Sequence, residues 1–202
     1  MIKNNRSEKE IIFATHNLHK LAEIKAIIDH RLKIISLNDL NFHEPIPETG
    51  DTLAENASQK AHFIYQKFGK NCFADDTGLE VDALGGAPGV YSARYAGENA
   101  TYEQNTEKLL NELREIQNRK ARFKTVISLI LDGKEYFFEG KVEGSILPRR
   151  TGNGGFGYDP VFVPEGYHET FALMDPSEKN KISHRGRATM QLIQFLQRYF
   201  SL

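Results

Sequence analysis

The feature that most constrains the fold is a short apolar run that leads directly into an amphipathic helix. Residues 11–14 (IIFA) are apolar without interruption, which is typical of a strand buried on both faces. Four apolar residues at helical spacing then predict a helix over about residues 18–30: Leu18, Leu21, Ile24 and Ile28. A strand that passes into a helix in this way predicts an α/β protein.

The alternation of strands and helices continues through the first half of the chain, whereas the second half opens with a hairpin. The patterns predict, in chain order, a strand at 32–37, a helix at 53–68 opened by Asp51 or Thr52, a strand at 72–74, a helix at 102–116, strands at 122–131 and 135–146 joined by Asp132-Gly133, a strand at 160–163 and a helix at 184–199. We therefore expect an elongated mixed β-sheet flanked by helices, with two lobes and a central cleft.

The overall charge excludes several classes of partner. The 202 residues include 26 Lys and Arg against 27 Asp and Glu, a net charge of −1, without the basic excess that binding to nucleic acid or an anionic membrane requires.

The longest apolar run, residues 126–131, is far shorter than the roughly 20 residues of a membrane helix. The single cysteine, Cys72, excludes an intrachain disulfide and favours a reducing compartment. We expect a cytoplasmic protein with one domain over residues 1–202, in which residues 1–10 form a flexible leader and not a signal peptide.

The turn after the first predicted strand is a candidate anion site. Residues 15–20 lie where a strand leads into a helix N-terminus, which presents free backbone N–H groups and the positive end of the helix dipole. Thr15 and Asn17 add side-chain donors, and Lys20 adds a cation that is unfavourable in a first helical turn unless an anion lies nearby. The alternative is a capped helix with a solvated lysine, because the glycines of a P-loop are absent.

Carboxylates are concentrated between residues 44 and 82, where eight acidic residues lie among only three lysines. Asp75-Asp76 is predicted to end a buried strand, the position at which α/β sheets place ligand sites. Adjacent carboxylates repel each other unless one is bonded to the backbone or both face a cation, and Mg²⁺ usually takes one or two carboxylates plus phosphate oxygens. The pair is therefore either a magnesium site or a turn cap beside a solvated Asp.

Lys60 is predicted to lie inside the apolar stripe of its helix. At about 100° per residue, its direction falls between those of Phe63 and Ile64. A buried ammonium group is costly unless it is paired, so Lys60 either extends its charged end to solvent or enters a cleft towards phosphate or carboxylate groups.

A glycine-rich loop is a candidate for contact with a nucleotide base. Residues 152–157 contain four glycines, which let the backbone approach a ligand closely. Phe156 and Tyr158 can stack on a base, and Asp159 can hydrogen-bond to one. The alternative is a plain wide turn.

A basic segment, residues 179–187, is predicted to open the last helix. Ser183 is a suitable N-cap, whereas Arg185 and Arg187 in the first turn oppose the helix dipole and suggest an anionic or keto-bearing ligand. Arg can present paired donors to a purine O6/N7 edge. The alternative is a basic turn on the surface.

Taken together, these segments resemble the family of inosine triphosphate pyrophosphatases, or non-canonical purine nucleoside triphosphate pyrophosphatases. The matching stretches occur in the family's order and span nearly the whole chain: residues 14–20 (ATHNLHK), 48–50 (ETG) with 55–57 (ENA) and 60–61 (KA), 74–79 (ADDTGL), 84–89 (LGGAPG), 91–94 (YSAR), 155–160 (GFGYDP) and 179–186 (KNKISHRG). One stretch alone is weak, whereas the ordered set is highly specific.

The resemblance implies a role for each matching residue. It implies that the triphosphate is held by Thr15, His16, Asn17, Leu18, His19 and Lys20 with help from Lys60, and that Thr77 contacts the substrate. It implies that Glu48 and Asp76 bind Mg²⁺ and that Asp76 is also the proton acceptor for the attacking water, so the catalytic residues are Asp76, Lys20 and Lys60. It further implies a homodimer and a base pocket made of Phe156, Gly157, Tyr158, Asp159, Lys179, His184 and Arg185.

The resulting hypothesis is a magnesium-dependent hydrolase that cleanses the nucleotide pool. It would convert non-canonical purine nucleoside triphosphates (ITP, dITP, XTP) to the monophosphate and pyrophosphate. Two alternatives stay open at this point: a pyrophosphatase for pyrimidine or modified nucleotides, and a module that binds purine nucleotides without hydrolysing them.

Overall fold

The computed structural model of the chain describes residues 9–28 and 32–201. Over this part of the chain, seven strands form one sheet and five α-helices pack around it. The strands are β1 (Lys9–Phe13), β2 (Leu32–Ser36), β3 (Cys72–Val81), β4 (Pro88–Gly89), β5 (Lys120–Leu131), β6 (Lys134–Ile146) and β7 (Phe162–Pro164). The helices are α1 (Leu18–Ile27), α2 (Leu53–Phe68), α3 (Tyr102–Glu112), α4 (Pro176–Ile182) and α5 (His184–Phe200).

The sheet is mixed, as predicted. Its strand order is β2-β1-β3-β5-β6-β7, with β4 paired to β3 away from this path. Strands β2, β1 and β3 run parallel, whereas β3, β5, β6 and β7 pair antiparallel. The predicted hairpin turn between β5 and β6 is confirmed: Asp132 and Gly133 have φ values of 49° and 79°, the left-handed conformation that tight hairpins require.

Strand alternation divides the core of the first lobe into two layers. Ile11 and Phe13 of β1 face a cluster that includes Ile24 of α1 and Leu192 of α5. Ile12, between them in the chain, points to the other face of the sheet and belongs to a second cluster, which α2 covers. This arrangement explains the uninterrupted apolar run of β1, because helices bury both of its faces.

A separate apolar cluster forms the second lobe. It is built from the far ends of β3 and β5 together with β6, β7 and α3, and it includes Val81, Leu109, Phe123 and Phe162. The two-lobed α/β fold predicted from the sequence is therefore confirmed.

The prediction for β3 was wrong at one end. The strand does not stop before Asp75 but continues to Val81, so both aspartates lie in the middle of a strand. The reason is that β5 pairs with β3 along all ten residues, from Cys72 opposite Ile130 to Val81 opposite Ala121. Polar residues here are held in the strand by tertiary pairing, which the local pattern does not reveal.

Other boundaries differ by smaller amounts. Strand β1 begins at Lys9, inside the predicted leader, because residues 9 and 10 pair with β2; residues 1–8 of the leader lie outside the described residues. The predicted end of α1, residues 29 and 30, also lies outside them, and Ile28 is the C-cap. The N-cap of α2 is Thr52, not Asp51, and Glu55 completes a capping box with it. Of the segment predicted to open the last helix, residues 179–182 belong to a separate short helix, α4, because the backbone at Ser183 is extended, whereas Ser183 caps α5 as predicted.

The ends of two strands create an opening in the sheet. Strand β1 pairs with β3 only as far as Phe73, and β4 pairs with β3 at Leu79 and Glu80. Between these two pairings, β3 borders a cleft that also receives the N-terminus of α1. In the described part of the chain, the helices are too short or too polar to cross a membrane.

Candidate active site

A cleft of about 370 Å³ at the end of β1 is lined by residues of both lobes. It brings together most of the residues predicted from the sequence, namely Thr15, His16, Asn17, Lys20, Glu48, Lys60, Asp76, Thr77, Phe156, Gly157, Tyr158, Asp159, Lys179, His184 and Arg185. Two predicted residues lie outside this lining. Leu18 is 63% exposed, and the ring of His19 stacks on that of Phe156 with 5.1 Å between centroids.

The first turn of α1 forms one end of the cleft. Asn17 is its N-cap, and its Oδ1 accepts hydrogen bonds from the backbone N–H groups of His19 and Lys20, at 2.9 and 3.2 Å. The Lys20 side chain is only 15% exposed, and its ammonium lies 3.0 Å from each carboxylate oxygen of Asp75. Burial lowers the pKa of Lys20, and the Asp75 carboxylate opposes this effect. The anion that a first-turn lysine requires is thus supplied by the protein itself.

The two adjacent aspartates point to opposite faces of β3, which separates their charges. Asp75 contacts Lys20 on one side and the Nε of Arg185 at 3.2 Å on the other. Burial alone would raise the pKa of Asp75, but Lys20 and Arg185 hold it well below its ordinary value. Asp76 faces α2, and burial raises its pKa despite the opposing Lys60 ammonium. The alternative of a turn cap beside a solvated Asp is wrong, since both residues are buried.

Lys60 joins the two carboxylates that the resemblance assigns to a metal. Its ammonium donates to Glu48 Oε1 and lies 3.1 Å from Asp76 Oδ1. The residue is only 5% exposed, so the alternative in which it extends to solvent is wrong. Burial would lower the pKa of Lys60, but Asp76 and Glu48 outweigh this and raise it.

The donor set at this point fits a hard divalent cation. Glu48 and Asp76 already hold one positive charge, the Lys60 ammonium, between their oxygens. Residues 9–28 and 32–201 contain no group of three or more His, Cys, Asp and Glu side chains that could hold a metal by themselves. Two carboxylates completed by water and substrate oxygens are a donor set that suits Mg²⁺, whereas zinc prefers nitrogen and sulfur ligands.

The other end of the cleft is built on a chain of buried ion pairs. Arg185, 2% exposed, donates from Nη1 to Glu23 at 2.5 Å and contacts Asp75. Lys179 donates to Glu23 at 2.7 Å and to Asp159 at 2.6 Å. The six charged groups therefore alternate in sign, in the order Lys20, Asp75, Arg185, Glu23, Lys179 and Asp159. By contrast, Arg187 is exposed and donates to the carbonyl of Lys141, away from the cleft.

Aromatic rings and an imidazole surround this cationic end. Lys179 Nζ and Arg185 Cζ lie 5.3 and 5.5 Å from the centroid of the Phe156 ring, within cation–π range. His184 stacks on Phe123 at 4.6 Å, and its buried Nδ1 has no hydrogen-bond partner among the described residues. Burial and the neighbouring Arg185 lower the pKa of His184 well below its ordinary value, so the imidazole is neutral.

The glycine-rich loop differs in part from the expectation. Tyr158 is 4% exposed and packs in the second lobe's core, with its hydroxyl donating to the carbonyl of Ser92 at 2.9 Å. Asp159 Oδ2 accepts from the backbone N–H of Phe156 at 2.8 Å as well as from Lys179. Phe156 is therefore the ring of this loop that is placed to stack on a ligand.

Among the polar residues that contact the predicted site residues without having been predicted themselves are Glu23 and Asn56. Glu23 lies three residues after Lys20 on α1 and forms an ion pair with each of Lys179 and Arg185. Asn56 belongs to a stretch that supported the resemblance, but no role followed from it; its Nδ2 donates to Asp76 Oδ2 at 3.3 Å. The spacing of Glu23 from Lys20 was a usable signal, since residues i and i+3 share a helix face.

Comparisons with known proteins agree with this geometry. A profile of the Ham1 family matches residues 11–195. Proteins of Christiangramia forsetii and Porphyromonas gingivalis, each named dITP/XTP pyrophosphatase, are 52% and 53% identical over 93% of this chain and over 98% and 97% of their own lengths. The structure of the Staphylococcus aureus Ham1 protein is 41% identical, with a TM-score of 0.86, and the match covers 95% of this chain and all of that one. A HAM1 protein from Coxiella burnetii has the same TM-score at 40% identity, with 94% and 99% of the two chains covered.

These matches confirm the resemblance found in the sequence. They extend along nearly the whole chain and nearly the whole length of each relative, and the structural match covers both lobes. The protein therefore belongs to the Ham1 family.

Proposed function

We propose that this protein is a nucleoside triphosphate pyrophosphatase that converts dITP, ITP and XTP to the monophosphate and pyrophosphate. The observation that carries the proposal is a single cleft with two chemically different ends. At one end, Glu48 and Asp76 both form ion pairs with the Lys60 ammonium. At the other end, the Phe156 ring lies beside buried cations. Curated relatives about half identical to this chain are named dITP/XTP pyrophosphatase.

The phosphate end is suited to attack of water on the α-phosphorus with pyrophosphate as the leaving group. Lys20 and Lys60 carry positive charge into a site with little solvent, where charge stabilisation is stronger than in water. The N-terminus of α1 adds its dipole beside the triphosphate. Burial raises the pKa of Asp76, so its carboxylate is a better proton acceptor than an ordinary Asp.

Glu48 and Asp76 are the residues that would hold Mg²⁺. When bound, Mg²⁺ supplies neutralisation of phosphate charge and orientation of the reacting oxygens. Lys60 has a flexible stem, so its ammonium can move from the two carboxylates to the phosphate oxygens when a metal–nucleotide complex enters. Its present contacts with both carboxylates, one of them at 3.1 Å, keep the acidic pair compensated until then.

The base end supports selection of a 6-keto purine. Inosine and xanthosine present O6 as a hydrogen-bond acceptor, whereas adenine presents an amino donor at the same position. Arg185 and Lys179 are donors without acceptor capacity, and they border the Phe156 ring on which a base can stack. An adenine amino group placed against them would leave a buried donor unpaired, which costs about 1–3 kcal/mol.

A pyrophosphate-release assay tests the proposal directly. We expect release from ITP, dITP and XTP at rates well above that for ATP, and only when Mg²⁺ is present. Asp76→Asn in the same assay tests whether turnover comes from this cleft. Release from pyrimidine triphosphates alone would favour the related pyrophosphatase class, and binding of ITP without release would favour a nucleotide-binding module; either result would reject the proposal.

Three broader expectations accompany this function. A single domain over residues 1–202, assembly as a homodimer and location in the cytoplasm stay predictions. Light scattering on the purified chain measures the mass of the assembly, and fractionation of cells measures the location.

A further inference from the structure

We propose that Asn56 is a positioning residue for the two carboxylates of the candidate metal site. This inference rests on the proposed function, because it concerns the arrangement of Glu48 and Asp76. Asn56 lies in the first turn of α2 and is 1% exposed. A polar side chain so deeply buried must use its hydrogen-bonding groups within the protein.

Both ends of the Asn56 amide are used, and each fixes one half of the site. Its Nδ2 donates to Asp76 Oδ2 at 3.3 Å. Its Oδ1 accepts from the backbone N–H of Gly50 at 2.8 Å, two residues after Glu48 in the chain. One side chain thus connects the strand that carries Asp76 to the loop that carries Glu48.

The loop lies so close to α2 that residue 50 has little room for a side chain. A Cβ added to Gly50 would lie 2.6 Å from the Cβ of Glu55 and 3.1 Å from Asn56 Oδ1. The glycine therefore permits the close approach that the hydrogen bond to Asn56 requires.

Asn56 also differs from Lys60 in charge, and this difference decides its role. The two residues are one helical turn apart on α2, and they bind different oxygens of Asp76. The Lys60 ammonium repels a metal cation, so it cannot keep its place between the carboxylates when one binds. The neutral amide of Asn56 is compatible with a bound cation and can hold Asp76 Oδ2 before and after metal binding. Substitution of such outer partners of metal ligands typically costs about 10–100-fold in metal affinity or activity.

Gln59 provides a matched control on the same helix. Its Oε1 accepts from the backbone N–H of Thr49 at 2.8 Å, and its Nε2 donates to Thr49 Oγ1 at 2.9 Å. Gln59 therefore anchors the same loop as Asn56, but its two hydrogen bonds go to Thr49, whereas Asn56 also donates to Asp76. Comparison of Asn56→Ala with Gln59→Ala separates the contact with the carboxylate from anchoring of the loop.

The experiment measures binding of Mn²⁺ alone to the full chain, by the electron paramagnetic resonance signal of free Mn²⁺. We expect Asn56→Ala to raise the dissociation constant about tenfold or more and Gln59→Ala to change it less than about twofold. Affinity for inosine monophosphate without metal should stay the same in both variants, since the base end is not touched. If Asn56→Ala does not fold, Asn56→Ser, which keeps a small polar side chain, is measured in its place.

Two results would overturn the inference. One is an Asn56 variant that binds Mn²⁺ as the unaltered chain does, and the other is an equal loss in Gln59→Ala, which would assign the effect to the loop alone. The proposed function fails separately: a chain that releases no pyrophosphate from any purine triphosphate refutes that function, while the Mn²⁺ measurement still decides the role of Asn56.

Discussion

Substitution of Glu23 by Gln should destabilise this protein far more than loss of an ordinary surface charge. Glu23 lies between two buried cations, 2.7 Å from Lys179 Nζ and 2.5 Å from Arg185 Nη1, and its side chain is 16% exposed. Burial would raise the pKa of Glu23, but Arg185 and Lys179 hold it below its ordinary value. The folded protein therefore favours the ionised form, and its stability depends on that charge.

The magnitude follows from the burial of the partners. Removal of one member of a buried ion pair costs about 3–5 kcal/mol, because the other charges stay buried without compensation. Gln keeps the volume and one acceptor oxygen, so we expect the lower end, about 3 kcal/mol. In a protein of this size 1 kcal/mol corresponds to roughly 2–4 °C, so Tm should fall by roughly 6–12 °C. In the variant, Arg185 still has its contact with Asp75, and Lys179 still has its contact with Asp159. These remaining ion pairs support the lower estimate of the loss in unfolding free energy.

The assay is urea and thermal unfolding of both proteins across a range of pH. Because the pKa of Glu23 is lowered in the folded state, its contribution is complete above the unfolded value, near 4.3, and is lost as the pH falls through the folded value. The deficit of Glu23→Gln should thus be constant from about pH 5 upwards and shrink in more acidic solution.

Glu178→Gln is the matched control for this measurement. Glu178 pairs with Lys181 at 2.5 Å, but the two side chains are 61% and 66% exposed. Exposed pairs contribute about 0–1 kcal/mol, so this variant should unfold almost as the unaltered protein does. A Glu23→Gln deficit below about 1 kcal/mol, or one that persists undiminished in acid, would refute the reasoning from buried charge.

Three further substitutions have expected outcomes. Asp76→Asn should reduce pyrophosphate release from ITP by about 100-fold or more while the fold is retained, and an unchanged rate would remove Asp76 from the mechanism. Arg185→Ala should lower the preference for ITP over ATP about tenfold, measured as the ratio of kcat/KM values; an unchanged ratio would reject its place in the base pocket. Gly140→Ala should lower the unfolding free energy by about 1–3 kcal/mol, because the new Cβ would lie 2.0 Å from the carbonyl oxygen of His184. Unaltered stability in urea unfolding would show that α5 can shift to make room.

The sequence predicts those elements whose signals are local. The capping box of Thr52 and Glu55, the left-handed Asp132-Gly133 turn and the Ser183 N-cap are each contained within a few residues, and each lies where the pattern indicates a boundary. The continuation of β3 past Asp75 could not be predicted, because it depends on pairing with a strand some 50 residues away. Propensity alone would end a strand at two aspartates.

The same distinction applies to the cleft. The residue types predicted for it, cations in the first turns of two helices and adjacent carboxylates, do lie together, but their partners follow only from the tertiary structure. Lys20 and Asp75 are 55 residues apart in the chain, and Glu23 and Arg185 are 162 apart. An excess of cations at two helix starts indicates that anions are nearby. This excess of cations does not distinguish a bound ligand from carboxylates of the protein. Here, carboxylates of the protein lie at both helix starts.

Strand geometry explains how one acidic dipeptide serves two purposes. Successive side chains of a strand point to opposite faces, so Asp75 faces α1 and α5 while Asp76 faces α2. On the first face, the carboxylate is compensated by Lys20 and Arg185 and has a lowered pKa, which is suited to a permanent structural charge. On the second face, burial raises the pKa of Asp76, and a flexible lysine with a neutral amide holds it. In the proposed mechanism the reacting carboxylate exchanges a lysine for a metal ion, so the order of these two residues along β3 makes Asp76 the one that can take this role.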